Sequence, residues 1–121
     1  MMARVWRGWA WPEKAQDYID HLQQAVFSEL YQIEGFRGAS VLKRDLADSA
    51  EFTVETLWES IAAIRQFAGE NVEAAVVAPA AQGLFREYET TVTTLRGCMA
   101  DRAKKPRGLE ARTITTLSHS R

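Results

Sequence analysis

The stretch that decides the fold is EFTVETLWESIAAIRQFAG, residues 51–69, because its hydrophobic period changes partway along. At the start, every second residue from Phe52 to Trp58 shares one face, as in a strand. Ser60 is a preferred helix N-cap, and the apolar residues after it recur at helical spacing until Gly69. The stretch therefore predicts a strand that runs directly into a helix.

The flanking sequence supplies three more strands and a second helix. Residues 36–44 and the strand above predict a hairpin, because residues 45–49, DLADS, are typical of a turn. Residues 3–9 alternate as a first strand, and residues 13–33 place apolar side chains at helical spacing. Residues 87–96 are rich in β-branched side chains and predict one further strand. The order β-α-β-β-α-β predicts an α+β, ferredoxin-like domain with an antiparallel sheet.

One face of this sheet is expected to lie uncovered, because two helices can cover only one face. Neither face is cleanly polar, since Val5 opposes Trp6 and Leu57 opposes Trp58 along their strands. An exposed apolar face of this kind usually marks an interface. The sequence therefore predicts a homodimer in which two sheets pack face to face.

The chain of 121 residues has room for one domain, and its net charge of −1 conceals a division. Residues 1–97 carry 9 Lys or Arg against 14 Asp or Glu, whereas residues 98–121 carry 6 against 2. We therefore predict an acidic domain over residues 1–97. Residues 98–121 are predicted to be a basic extension, either flexible or an added or swapped strand. The small net charge argues against nucleic acid or a membrane as partner, and a cytoplasmic protein is expected.

Sequence motifs for the common cofactors and nucleophiles are missing. There is no glycine-rich phosphate loop, no paired cysteine beside Cys98 and no nucleophile elbow. The two histidines, His21 and His119, stand far apart, which argues against a histidine metal site. On the predicted helix, His21 projects well away from the apolar face, so its side chain is predicted to be solvated. The sequence therefore predicts neither a bound metal nor a cofactor.

The first strand concentrates aromatic and arginine side chains. Arg4, Trp6 and Arg7 stand close together there. Tryptophans on a sheet are commonly core or interface residues, but indole donors and a guanidinium beside apolar walls also suit a pocket for a flat, partly anionic aromatic ligand. Trp58, at the end of its strand, has the same two interpretations. Other side chains that could wall such a pocket are Tyr18, Phe67, Phe85 and Tyr88.

Three segments carry a family resemblance. They are residues 3–9, ARVWRGW; residues 26–39, where VFSEL runs into IEGFRGA; and above all residues 56–70, TLWESIAAIRQFAGE. These segments resemble the antibiotic biosynthesis monooxygenase family, with similarity over residues 3–96. The resemblance implies a ferredoxin-like fold that forms a dimeric α+β barrel. It also implies oxidation of a small phenolic or quinol-type compound by molecular oxygen without metal or flavin, because a deprotonated phenol can pass an electron to oxygen itself.

The resemblance also implies site residues. Trp58 matches a tryptophan that recurs at the end of the third strand in these oxygenases, and two neighbouring polar positions correspond to Val54 and Ile64. Relatives carry histidines, as candidate bases, where this chain has Arg7 and Thr94. An arginine cannot act as a base at ordinary pH but can stabilise a phenolate. The expected catalytic residues are Trp58 and Arg7, and the expected substrate-binding residues are Trp6, Arg4, Tyr18, Phe67 and Tyr88.

Two other functions compete with a cofactor-independent monooxygenase. One is a dimeric barrel that binds a small molecule without catalysis or serves in a stress response. The other is haem degradation. The haem-degrading branch uses an asparagine, a tryptophan and a histidine, and these correspond here to Trp6, Phe67 and Val77, which disfavours that activity.

Overall fold

The computed structural model describes residues 1–101, which form one sheet with its helices packed on one face. The predicted extension, from residue 102 onward, lies outside the described residues. The strands are β1 (Met2–Ala10), β2 (Phe36–Asp45), β3 (Ala50–Trp58), β4 (Phe85–Tyr88) and β5 (Thr93–Arg96); the helices are α1 (Ala15–His21), α2 (Phe27–Leu30), α3 (Ile61–Ala68) and α4 (Pro79–Gln82).

The sheet is antiparallel, with β1 at its centre. Its order is β2-β3-β1-β4, and β5 also pairs with β1. Trp6 faces Val54 across the ladder, and Arg4 faces both Thr56 and Thr94. This is the α+β, ferredoxin-like arrangement that the sequence predicts. Because side chains alternate along a strand, Arg4 and Trp6 point towards the helices, as Val54 and Thr56 do.

The first helical segment is less regular than predicted. The sequence predicts one helix over residues 13–33, whereas the structure has a 3₁₀ turn at Pro12–Lys14, then α1, a π-helical turn at Leu22–Val26 and α2. In the π turn the Phe27 N–H donates to the Leu22 carbonyl. A π turn inserts one extra residue into a helix, so the side chains before it are rotated relative to those after it.

The α3 helix begins and ends as predicted. The Ser60 hydroxyl accepts a hydrogen bond from the Ala63 N–H at 3.2 Å, which satisfies one of the free donors at the helix start. The helix ends at Gly69, whose φ of 81° lies in the region that only glycine adopts without strain. These two residues set the point where the chain leaves β3 and the point where it leaves the helix.

The predicted single strand over residues 87–96 is wrong, because the structure breaks it into β4 and β5. The middle of that segment also forms backbone hydrogen bonds with the chain between α3 and α4. The Val92 N–H donates to the Glu73 carbonyl at 2.8 Å, and the Ala75 N–H donates to the Thr90 carbonyl at 2.9 Å. The break itself is a change of register, because Tyr88 and Thr93 are five residues apart whereas their β1 partners, Gly8 and Val5, are three residues apart.

The core between sheet and helices has two parts. One surrounds Tyr18 and Phe52, and the other surrounds Leu30, Trp58 and Ile64. Trp58 and Phe52 are fully buried. No helix within residues 1–101 is long and apolar enough to cross a membrane.

The opposite face of the sheet mixes apolar and charged side chains. Leu42 and Leu95 are 62% and 52% exposed there. Glu51 is buried by its ion pair with Arg44, whose Nε lies 2.9 Å from Oε1. The face is therefore less uniformly apolar than the sequence predicts.

Candidate functional site

A cavity of about 70 Å³ lies between the sheet and the helices. It is several times larger than the roughly 10–15 Å³ that one water needs, and it favours a compact ligand. Val76, 48% exposed, marks its outer side. The lining residues are Arg4, Trp6, Tyr18, His21, Leu22, Val26, Phe27, Leu30, Val54, Thr56, Phe67, Val76, Val77, Ala78, Ala81 and Val92.

Arg4 brings a positive charge into this cavity. The residue is only 6% exposed, and burial lowers the pKa of its guanidinium. Its Nη2 donates to the Ala74 carbonyl at 2.6 Å and its Nε to the Val72 carbonyl at 3.3 Å. Within residues 1–101 it has no carboxylate partner, and Nη1 makes no hydrogen bond. A buried charge without a counter-ion is costly, so this guanidinium is poised to receive an anion.

Aromatic rings line the side of the cavity next to Arg4. Trp6 contacts Phe85 edge to face, with 5.4 Å between their ring centroids, and the centroids of Trp6 and Tyr18 are 6.3 Å apart. The Trp6 indole N–H is not available to a ligand, because it donates a hydrogen bond to the Glu89 carbonyl at 2.7 Å. Phe67 completes the wall, with the Arg4 guanidinium 5.6 Å from its ring centroid. Trp6 and Phe67 therefore offer ring faces, rather than donors, to a ligand.

Trp58, the expected catalytic tryptophan, does not line the cavity. It is fully buried in the second part of the core, and its indole N–H donates to the Thr56 hydroxyl at 2.9 Å. Its ring stacks on Phe67, with 6.1 Å between centroids. Since Phe67 does line the cavity, Trp58 supports the wall from behind. Ile64 is buried in the same cluster.

Arg7 lies on the opposite face of the sheet from Arg4 and Trp6. Its side chain is 50% exposed and pairs with Glu89 at 3.3 Å. The alternation of β1 gives the reason, since residues 4 and 7 are separated by an odd number of positions. Tyr88 is closer to the cavity, 6.4 Å from Trp6 between centroids, but it packs behind that ring. The structure therefore unites Arg4, Trp6, Tyr18 and Phe67, and separates Arg7 and Trp58 from them.

His21 lines the cavity, although the sequence predicts that it is solvated. It is half-buried rather than solvated, lines the cavity and stacks on Tyr18 at 6.4 Å between centroids. His21 follows the buried Tyr18 by three residues on α1, so the two rings are neighbours on the helix surface, and the buried face is wider than the apolar residues alone indicate. The π turn at Leu22–Val26 begins after His21, and the sequence offers no signal for it.

The remaining polar groups at the site are few. Burial raises the pKa of the Tyr18 hydroxyl, so this group remains a protonated phenol. Thr94 faces Arg4 in the sheet, and its buried hydroxyl oxygen has no partner within the described chain. Within residues 1–101 no three His, Cys, Asp or Glu side chains cluster as a metal site requires. The arrangement can therefore bind an aromatic ring and stabilise a negative charge on it.

The sequence profile described as Antibiotic biosynthesis monooxygenase matches residues 1–78, which is more than half of the 121 residues. This segment carries β1 to β3, α3 and most of the cavity lining. No curated protein matches the chain.

Several solved structures share the fold. A Deinococcus radiodurans protein, named as a candidate antibiotic biosynthesis monooxygenase, has a TM-score of 0.62 at 15% identity, covering 87% of this chain and 100% of its own. A Bacillus cereus protein of the same description has a TM-score of 0.58 at 15% identity, with coverages of 85% and 98%. A Streptomyces coelicolor monooxygenase in complex with the ligand nanaomycin D has a TM-score of 0.51 at 16% identity, with coverages of 84% and 92%.

Proposed function

Since the chain belongs to the antibiotic biosynthesis monooxygenase family, we propose that it oxidises a small phenolic or quinol-type compound with molecular oxygen and without metal or flavin. One observation carries the proposal. The cavity places the buried Arg4 guanidinium, which has no carboxylate partner in the described chain, among aromatic rings. This combination suits an aromatic ligand that becomes an anion.

The reaction needs the phenol as its anion. Once the O–H bond has broken, the electron pair on the phenolate oxygen can be shared with the ring, and the ring can then reduce oxygen. For a phenol with a free para position the overall balance is one phenol and one O₂ giving one para-quinone and one water, whereas hydroquinone and one O₂ give one quinone and one hydrogen peroxide. Arg4 stabilises the phenolate charge, and it does so strongly because the surroundings are apolar.

Positioning is the second contribution of the cavity. A ring held against Trp6 and Phe67 places its oxygen towards Arg4, because the guanidinium lies beside both side chains. The valines and alanines that make up much of the remaining lining keep water away from the anion. A fixed orientation and a dry site both lower the barrier to oxidation. We assign the stabilising role to Arg4 rather than Arg7, which lies on the other face of the sheet.

Self-association through the open face of the sheet is part of the same proposal. Leu42 and Leu95 are exposed there, beside Val5 of the central strand. Burying these side chains against the same face of a second copy would form the dimeric barrel expected of the family.

The test is oxygen uptake by the purified chain on hydroquinone and on an anthrone-type substrate, with quinone formation followed by absorbance. We expect one quinone per O₂ consumed, at a rate well above buffer. Arg4→Met should lower kcat/KM at least about 10-fold, because it removes a charge that acts mainly on the anion. Arg7→Ala is the matched control, an arginine of the same strand on the other face, and should leave the rate unchanged.

Each alternative has its own outcome. Ligand binding in the cavity without oxygen uptake would contradict the oxygenase and favour the non-catalytic binding protein. Uptake that is insensitive to Arg4→Met would show that the reaction takes place elsewhere. A haemin complex degraded by the chain would favour the haem-degrading activity, for which Trp6, Phe67 and Val77 supply no imidazole.

A further inference from the structure

We propose that His21 is the group that takes the proton from the phenol, an inference that rests on the function proposed above. Deprotonation needs a base inside the cavity. Arg7 and Thr94 do not line the cavity, and neither side chain can accept a proton near neutral pH. His21 does line the cavity, at the junction of α1 and the π turn.

The titratable groups around the cavity leave His21 as the acceptor. Only Arg4, Tyr18 and His21 among the lining residues can gain or lose a proton. The Arg4 guanidinium stays charged and has no free lone pair. Tyr18 keeps its own proton, since burial raises the pKa of its hydroxyl. Imidazole is the side chain that changes charge near neutral pH.

The groups that face His21 across the cavity and along its helix include one positive charge and no paired carboxylate within the described residues. Its closest ring neighbour is Tyr18 on the same helix, an uncharged phenol at 6.4 Å between centroids. β1 contributes the positive charge of Arg4 to the same cavity, and the segment Val76, Val77, Ala78 contributes no titratable group. Within residues 1–101 no carboxylate forms an ion pair with His21, although Asp17 lies one turn away on the exposed side of α1.

In the deprotonation step, His21 takes the proton and Arg4 stabilises the remaining negative charge. The phenol O–H bond breaks, the proton moves to a ring nitrogen of His21, and the electron pair remains on the oxygen beside Arg4. When the ring has been oxidised by O₂, the imidazolium returns its proton to the reduced oxygen, which leaves as water from a phenol or as hydrogen peroxide from hydroquinone. His21 and Arg4 therefore have separate roles: one accepts the proton and the other stabilises the anion.

The first experiment measures ionisation in the bound state and does not depend on turnover. The probe is 4-nitrophenol, whose phenolate absorbs visible light and whose phenol does not. We expect wild-type protein to hold it as the phenolate at pH values where the free compound is protonated. His21→Gln should bind it with the phenolate fraction reduced at that pH, whereas Gln23→Ala, on the exposed side of the π turn, should behave as wild type.

The second experiment measures the rate. With hydroquinone, His21→Gln should lower kcat/KM by about 100-fold or more and should remove the fall in rate at acid pH, where imidazolium can no longer accept a proton. Added imidazole should restore at least part of the rate of His21→Ala and none of the rate of Arg4→Met. A merely structural histidine would show neither the lost acid limb nor the rescue.

The two proposals can fail separately. A wild-type rate and pH profile in His21→Gln would overturn the role of His21 and leave the oxygenase standing. Phenolate formation that depends on His21 in a chain without oxygen uptake would support the proton acceptor and overturn the oxygenase. A bound 4-nitrophenol that ionises equally in wild type and in His21→Gln would also overturn the inference.

Discussion

At the scale of single residues, Arg4 distinguishes a binding cavity from an ordinary core. Two hydrogen bonds from a charged group to backbone carbonyls stabilise the fold by about 1.5–3 kcal/mol each, while burying one unpaired ion costs several kcal/mol. These effects nearly cancel. We therefore expect Arg4→Met to change the free energy of unfolding by less than about 2 kcal/mol in urea titrations, yet to lose affinity for 4-nitrophenol at a pH where the ligand is an anion.

The same measurement distinguishes a ligand-binding role of Arg4 from a purely structural role. A loss of stability far above that range, with anion affinity intact, would make Arg4 an anchor for the Val72 and Ala74 carbonyls rather than a ligand-binding residue. Arg4→Lys is an informative partner, because it keeps a charge but cannot donate to both carbonyls and a ligand in one plane.

The two inward tryptophans should respond differently to the same substitution. Trp58→Phe leaves a gap in the second part of the core and removes the donor to Thr56, so it should lower the free energy of unfolding by about 1–3 kcal/mol with little effect on ligand affinity. Trp6→Phe should weaken 4-nitrophenol binding several-fold, because Trp6 forms the cavity wall. Equal effects on affinity in isothermal titrations would contradict the placement of Trp58 behind Phe67.

The sequence predicts part of this site. The alternation of β1 places Arg4 and Trp6 on one face and Arg7 on the other, so the separation of the two arginines could be read from the residues alone. The position of Trp58 behind Phe67 could not. Both of those residues lie on inward faces, and only the packing between β3 and α3 determines which of them borders the empty space.

At the scale of elements, α3 depends on its N-cap. Ser60→Ala removes the acceptor for the Ala63 N–H and should lower the free energy of unfolding by about 1 kcal/mol in urea. Ser28→Ala is the matched control, because the Ser28 hydroxyl is exposed and only donates back to the Gln24 carbonyl in the π turn before α2. A stability change in Ser28→Ala as large as that in Ser60→Ala would contradict the capping role.

Two elements differ from the sequence prediction for identifiable reasons. The last strand is interrupted because its two halves pair with β1 in registers that differ by two residues, and its middle also pairs with the distant backbone around Glu73 and Ala75. The π turn at Leu22–Val26 depends on packing rather than on a local sequence signal. The strand–helix unit of residues 51–69, by contrast, follows local rules and is predicted correctly.

At the scale of the whole molecule, the open sheet face predicts self-association. We expect analytical ultracentrifugation at micromolar concentration to give twice the chain mass of 13.6 kDa. Leu42→Glu should shift the species to the single-chain mass, because it places a charge in the apolar part of the face. Tyr31→Glu, an equally exposed apolar position beyond α2, is the control and should leave the mass unchanged. A single-chain mass for wild type would contradict the dimer.

The central claim is that an aromatic ligand binds between Trp6 and Arg4, and the four tryptophan indole N–H groups can test it directly. They report on different places: Trp6 lines the cavity, Trp58 lies behind it, and Trp9 and Trp11 lie outside it. The measurement is the ¹⁵N-indole NMR spectrum during titration with 4-nitrophenol, with signals assigned by single Trp→Phe variants. We predict the largest shift at Trp6 and a smaller one at Trp58. The largest shift at Trp9 or Trp11, with Trp6 unmoved, would contradict the site.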